Sequence, residues 1–137
     1  MNKLNRVNGL LTGIFALLFF NTADAGNVKI LAVDLYANNN NSWLIKVTLE
    51  HGDTGWDHYA DNWQVVDDAG NVLGDRVLYH PHVNEQPFTR ELSGVRVPEG
   101  ITDIYITAHD KVHGWTTDRL KVDLRKVTGN HLRVESR

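Results

Sequence analysis

The chain has 137 residues, with 14 Lys+Arg against 17 Asp+Glu and a net charge of −3, a balance that offers no general attraction for nucleic acid or an anionic membrane surface. It contains no cysteine, which excludes disulfides, thiolate metal sites and thiol redox chemistry. Its one methionine is Met1, so thioether ligands are missing from the body of the chain as well.

In chain order, Lys3 and Arg6 precede an apolar run from Leu10 to Phe20, and Ala23-Asp24-Ala25 follows. A basic start, a short apolar core and a small-x-small site predict a cleavable signal peptide over residues 1–25. A transmembrane anchor would need roughly twenty consecutive apolar residues, about twice this run. Cleavage leaves Gly26 at the start of a mature chain of 112 residues, with 12 basic and 16 acidic side chains. That length suits one core and is too short for two. We therefore expect a periplasmic or secreted protein with no stable membrane anchor after cleavage.

From Gly26 onward, short runs rich in Val, Ile, Tyr and Trp are separated by clusters of Gly, Asn, Asp and Pro, and no helical period persists. Strands are predicted over 28–36 and 43–50, the second with Trp43, Ile45, Val47 and Leu49 on one face. A third over 58–66 carries Tyr59, Asp61, Trp63 and Val65 on one parity, and Asp67-Asp68-Ala69-Gly70-Asn71 turns the chain back. Further strands follow over 72–79, 88–95, 101–108 and 119–124. Trp43 and Trp63 are expected in the core. The polar stretch 126–137, His131 included, reads as a loosely ordered tail.

Seven short strands with a Trp in the third predict an all-β domain over 26–125, an immunoglobulin- or fibronectin-type antiparallel sandwich. A small barrel or jelly roll is the alternative. The stretch Leu92-Ser93-Gly94-Val95-Arg96-Val97-Pro98-Glu99-Gly100, followed by Ile101 to Ala108, resembles the E–F corner of fibronectin-type and bacterial immunoglobulin-like domains.

The histidines carry the functional signal. His51 closes the second strand and His58 opens the third. His80 and His82 follow the fourth, His109 closes the sixth and His113 opens the seventh. Because consecutive antiparallel strands reverse direction, all six are expected at one end of the sandwich. Asp57, Asp61, Asp110, Glu85, Trp56 and Trp115 are expected to join them as supporting or ligand-contacting residues, with Asp53 nearby. Imidazole nitrogens with carboxylate support suit Zn²⁺ or Cu²⁺, and the lack of Cys and Met disfavours Cu⁺. His80-Pro81-His82 places two rings on one side of an extended segment, and His109 to His113 brings two more together across a turn. His109 has the parity of Tyr105 and Thr107, opposite to Ile104 and Ile106, and so faces solvent unless the strand bulges.

Gly55-Trp56-Asp57-His58-Tyr59-Ala60-Asp61-Asn62-Trp63, His80 to Arg90, and Ala108-His109-Asp110-Lys111-Val112-His113-Gly114 together resemble a group of small exported proteobacterial proteins of unassigned function. The resemblance implies a self-contained exported domain and transfers no catalytic residue. No nucleophile signature, phosphate-cradling loop or dinucleotide fingerprint is present. The expected function is non-enzymatic metal binding, with a metal ion and a periplasmic protein as partners. The alternatives are a protein- or glycan-interaction module using the same loops, and a metal-assisted hydrolase or oxidase with an open coordination position.

Overall fold

The computed structural model describes residues 26–137, so the predicted signal peptide lies outside the described residues. Nine strands form two packed antiparallel sheets: β1 (Lys29–Ala37), β2 (Trp43–Glu50), β3 (Ala60–Val66), β4 (Val72–Val77), β5 (Phe88–Val95), β6 (Asp103–Asp110), β7 (Gly114–Trp115), β8 (Leu120–Asp123) and β9 (His131–Glu135). One sheet has the order β5-β2-β1-β9. The other has the order β4-β3-β6-β7, with β8 also paired to β6.

The described residues form the predicted all-β sandwich, with nine strands among them instead of seven. First, second and fifth strands share one sheet while third and sixth share the other, as in immunoglobulin-like sandwiches. β7 and β8 lie along the same edge of β6, pairing with His109–Asp110 and with Asp103–Ile106 respectively. They are two pieces of one edge strand, interrupted at residues 116–119.

β9 corrects the expectation of a loose tail. His131-Leu132-Arg133-Val134-Glu135 alternates over five residues, with Leu132 and Val134 packed against the core. It pairs with β1 from Tyr36↔His131 to Ala32↔Glu135. His131 is no solvated tail residue: it stacks on Tyr36 at 4.5 Å and its Nε2 lies 2.9 Å from Asp34.

The core is built by alternation. Val33 and Leu35 of β1, Ile45, Val47 and Leu49 of β2, Trp63 and Val65 of β3, Ile104, Ile106 and Ala108 of β6, and Val122 of β8 are all fully buried. Trp63 lies within this core, and Trp43 packs against it half-buried. At the far end from the histidines, Asp67 folds the β3–β4 turn by accepting hydrogen bonds from the Ala69 and Asn71 N–H groups at 3.0 and 2.8 Å. Gly70 there adopts φ +83°, which the turn requires. Asp67, Asp68, Gly100 and Ile101 line one surface depression, so the β3–β4 and β5–β6 turns share that pole.

A β-bulge between Ala60 and Asn62 shifts the register of β3 against β6. It corrects the predicted parity. Ala60 is buried, while Asp61 is displaced from the face of Trp63 and Val65 and bonds instead with His109.

Candidate metal site

Two strands deliver polar groups to the core side of the sandwich's end by simple continuation of their alternation. β2 buries Ile45, Val47 and Leu49, and the next residue on that parity is His51. β6 buries Ile104, Ile106 and Ala108, and the next is Asp110. Both side chains are 0 % exposed. The loop before β3 adds His58, and the turn after β6 adds His113, whose side chain is 37 % exposed.

One ligand atom from each of His51, His58, Asp110 and His113 lies within 4.8 Å of the other three. The rings of His51 and His58 meet edge to face at 4.8 Å, and those of His58 and His113 lie 5.2 Å apart. A tetrahedral zinc site with bonds of about 2.0–2.1 Å spaces its donors about 3.4 Å apart. No pair here needs to close by more than about 1.4 Å on that scale, a rotamer-sized movement for a side chain.

Asp110 divides its work between two oxygens. Oδ1 accepts hydrogen bonds from the N–H groups of Val112 and His113, at 2.9 and 2.8 Å, and faces His113 Nδ1 at 3.0 Å. Oδ2 is buried without a partner, 4.0 Å from His51 Nε2. His58 Nε2 stands 3.2 Å from Oδ1 but is not aligned for a hydrogen bond, and it too is buried and unpartnered. Burial disfavours the Asp110 carboxylate, yet the His113 and Val112 N–H groups and the His113 ring hold its pKa below the ordinary value. A buried anionic oxygen and a buried ring nitrogen, both without a hydrogen-bond partner, therefore belong to two residues of the same cluster. Such atoms are costly to leave unpaired, and a divalent cation would satisfy both.

Behind His51 stands Asp53. Its Oδ1 accepts from His51 Nδ1 at 2.6 Å and from Ala60 N–H at 2.9 Å, and its Oδ2 accepts from His82 N–H at 2.8 Å. Burial alone would raise the Asp53 pKa, but these bonds hold it below its usual range. For His51, burial disfavours the imidazolium, and the bond to Asp53 together with the charges of Asp53 and Asp110 overcomes it, so its pKa is raised. Asp53 on Nδ1 leaves His51 Nε2 facing Asp110 Oδ2 at 4.0 Å, with the Gly26 carbonyl oxygen 3.1 Å away, the ring orientation that a supporting carboxylate fixes in many metal sites. Two residues beyond an inward-facing histidine, Asp53 deserved a ligand-supporting role on sequence grounds. The continued core parity of His51 and Asp110 would likewise have separated them from the other candidates.

The remaining candidates sort into a surrounding layer. His82 is buried and stacked on Phe88, 4.0 Å away and 12° from parallel. Its Nε2 lies 3.0 Å from Arg90 Nη2, which can only donate, so Nε2 is the acceptor and Nδ1 carries the proton. Burial, then the charges of Arg90 and His80, lower its pKa. His82 thus touches the site through Asp53 and not as a ligand. His80 is exposed, 4.6 Å from the His82 ring, and Glu85 holds Arg90 through both carboxylate oxygens at 3.1 Å.

His109 points away from the cluster, as its parity predicts, pairing with Asp61 and meeting Trp115 edge to face at 5.0 Å. Trp56 is 64 % exposed and packs edge-on against Tyr59. Asp57 is exposed beside it. All six predicted histidines do lie at one pole. Only His51, His58 and His113 converge.

No family model matches this chain, and no solved structure matches it significantly. It is similar to a candidate lipoprotein of the archaeon Halomicrobium mukohataei, 39 % identical over 100 residues, which cover 73 % of this chain and 49 % of that protein. The chain spans about half the length of that relative. Similarity to an archaeal protein gives no support to a proteobacterial grouping.

Proposed function

We propose that this is an exported β-sandwich protein that binds one divalent transition-metal ion, Zn²⁺ or Cu²⁺, through His51, His58, His113 and Asp110, with Asp53 orienting His51. The observation that carries the reading is the convergence of the unpartnered buried atoms His58 Nε2 and Asp110 Oδ2 with the ring of His51. Three imidazoles and one carboxylate are a donor set suited to either ion. Export is supported by the basic start, apolar run and small-x-small pattern of residues 1–25, and by the relative's description as a candidate lipoprotein.

Our reading is binding and not catalysis, because four protein donors already suffice for a closed tetrahedral zinc site, whereas catalytic zinc has three and keeps a position open for water or substrate. A second reading, docking of a protein partner at the same pole, is favoured by the exposed side chains Trp56, Tyr79, Val83 and Val112 on the connections surrounding the site and Trp115 on the short β7.

The test is elemental analysis of the exported protein as purified, followed by calorimetric titration of Zn²⁺ and Cu²⁺ into metal-stripped native protein and His58→Ala. One ion per chain and a binding loss of at least a hundredfold in the variant are expected. Equal weak binding by both would end the proposal. Chelation should lower the melting temperature of loaded protein, since an ion bound only to the folded state stabilises it by mass action.

A further inference from the structure

Gly26 reaches the site from the far side of the sequence. Its carbonyl oxygen lies 3.1 Å from His51 Nε2, the ring nitrogen that also faces Asp110 Oδ2 at 4.0 Å. The segment is anchored immediately afterwards: Val28 is buried in the core, and Lys29 opens β1 opposite Glu50, the residue before His51. His51 therefore presents both ring nitrogens to oxygen atoms, Asp53 Oδ1 on one side and Gly26 O on the other. An ion on Nε2 would therefore meet Gly26 O and Asp110 Oδ2 as its next oxygen neighbours. The predicted cleavage after Ala25 would make this same residue the amino terminus.

We infer that Gly26, freed by cleavage after Ala25, is itself a metal ligand, its α-amine nitrogen and carbonyl oxygen closing a five-membered chelate on the ion held by His51, His58, His113 and Asp110. The inference rests on the metal-binding reading above. Within one residue the amine nitrogen and carbonyl oxygen are at most about 3.6 Å apart, so both fall within reach of the same ion. Cleavage supplies the lone pair. In the precursor the Gly26 nitrogen is an amide whose electrons are delocalised into the carbonyl, and it is no donor until it is released. Metal loading would thus follow processing and export. The added nitrogen and oxygen also favour Cu²⁺ over Zn²⁺, because Cu²⁺ prefers a larger tetragonal shell of N and O ligands.

The experiment expresses the full chain for export and reads the amino terminus of the purified product by intact mass. It compares that protein with one carrying a single alanine inserted after Ala25 and retained at the terminus, also confirmed by mass. Cu²⁺ and Zn²⁺ affinities are measured by competition titration, and electron spin resonance of the Cu²⁺ forms is recorded with ¹⁵N-glycine incorporated. The expected result is a product beginning at Gly26, a Cu²⁺ affinity at least tenfold higher than in the extended form, and ¹⁵N coupling present only in the native form. Melting temperatures of the two metal-free proteins should agree. Equal affinities and no glycine coupling, with tight binding retained, would overturn the ligand role of Gly26 and leave the four-residue site standing. A product beginning elsewhere would overturn it too. Failure of both proteins to bind either ion would instead bring down the metal reading itself.

Discussion

Asp53→Asn replaces an acceptor-only group with one that has a single oxygen, while three buried donors aim at that position: His51 Nδ1 at 2.6 Å, Ala60 N–H at 2.9 Å and His82 N–H at 2.8 Å. Whichever way the amide turns, its NH₂ meets at least one of those donors. Leaving a buried N–H unpaired costs about 1–3 kcal/mol, and weakening the charged bond to His51 costs about 1 more. A loss of about 2–4 kcal/mol follows. Unfolding entropy near 2.1 cal/mol/K per residue, taken over 112 residues, makes each kcal/mol worth about 4 °C, so the metal-free variant should melt about 8–16 °C lower. Supporting carboxylates of this kind are worth about 10–100-fold in metal affinity. At zinc a hundredfold above the native Kd, native protein gains about 2.7 kcal/mol, or about 11 °C, and the variant would gain between about 6 and 2 °C. Differential scanning calorimetry with and without zinc measures both quantities. A variant that melts within about 2 °C of native and keeps the full zinc increment would refute the account of Asp53 as the support of His51.

Asp110→Asn keeps an oxygen for the Val112 and His113 N–H groups but removes the charge, so it should melt within about 5 °C of native without metal and lose the zinc-dependent increment; an increment preserved in thermal scans would contradict its place as a ligand. His82→Ala removes a ring stacked on Phe88 and should destabilise the fold by about 1–3 kcal/mol in urea denaturation, with metal affinity by calorimetry staying within about tenfold of native. The raised pKa of His51 contributes stability to the metal-free protein that is fully present below about pH 6.5 and is lost as pH rises through the higher folded value; the lowered pKa of Asp53 contributes above about pH 3.8 and is lost as pH falls through its folded value. The pair therefore supports the metal-free fold most strongly between about pH 4 and 6.5, and denaturation midpoints of native and His51→Gln protein across that range should differ most there. Metal binding has the opposite trend, strengthening toward pH 8 with proton release on binding, measurable by calorimetry in buffers of different ionisation heat.

The alternation of apolar residues was enough to place β1, β2 and β5 almost to the residue, because each has one face buried against the other sheet and so must repeat every second position. β9 carries the same alternation in miniature, His131 to Glu135, hidden in a polar stretch where only two apolar residues mark it. The two-residue β7 has no pattern to read; it exists because β6 offers an open edge at His109 and Asp110. The gathering of histidines at one pole was likewise legible, since it follows from strand direction alone.

What the sequence by itself determined is the period, the direction of each strand and hence the end to which each histidine is carried. What only the tertiary structure decided is which of those rings share a point in space. A bulge at Ala60–Asn62 turns Asp61 toward His109, Arg90 occupies a nitrogen of His82, and the paired edge of β1 brings Gly26 against His51 across 25 residues. These outcomes depend on register shifts and on contacts between residues far apart in the chain, and a one-dimensional pattern with a period of two carries no record of either.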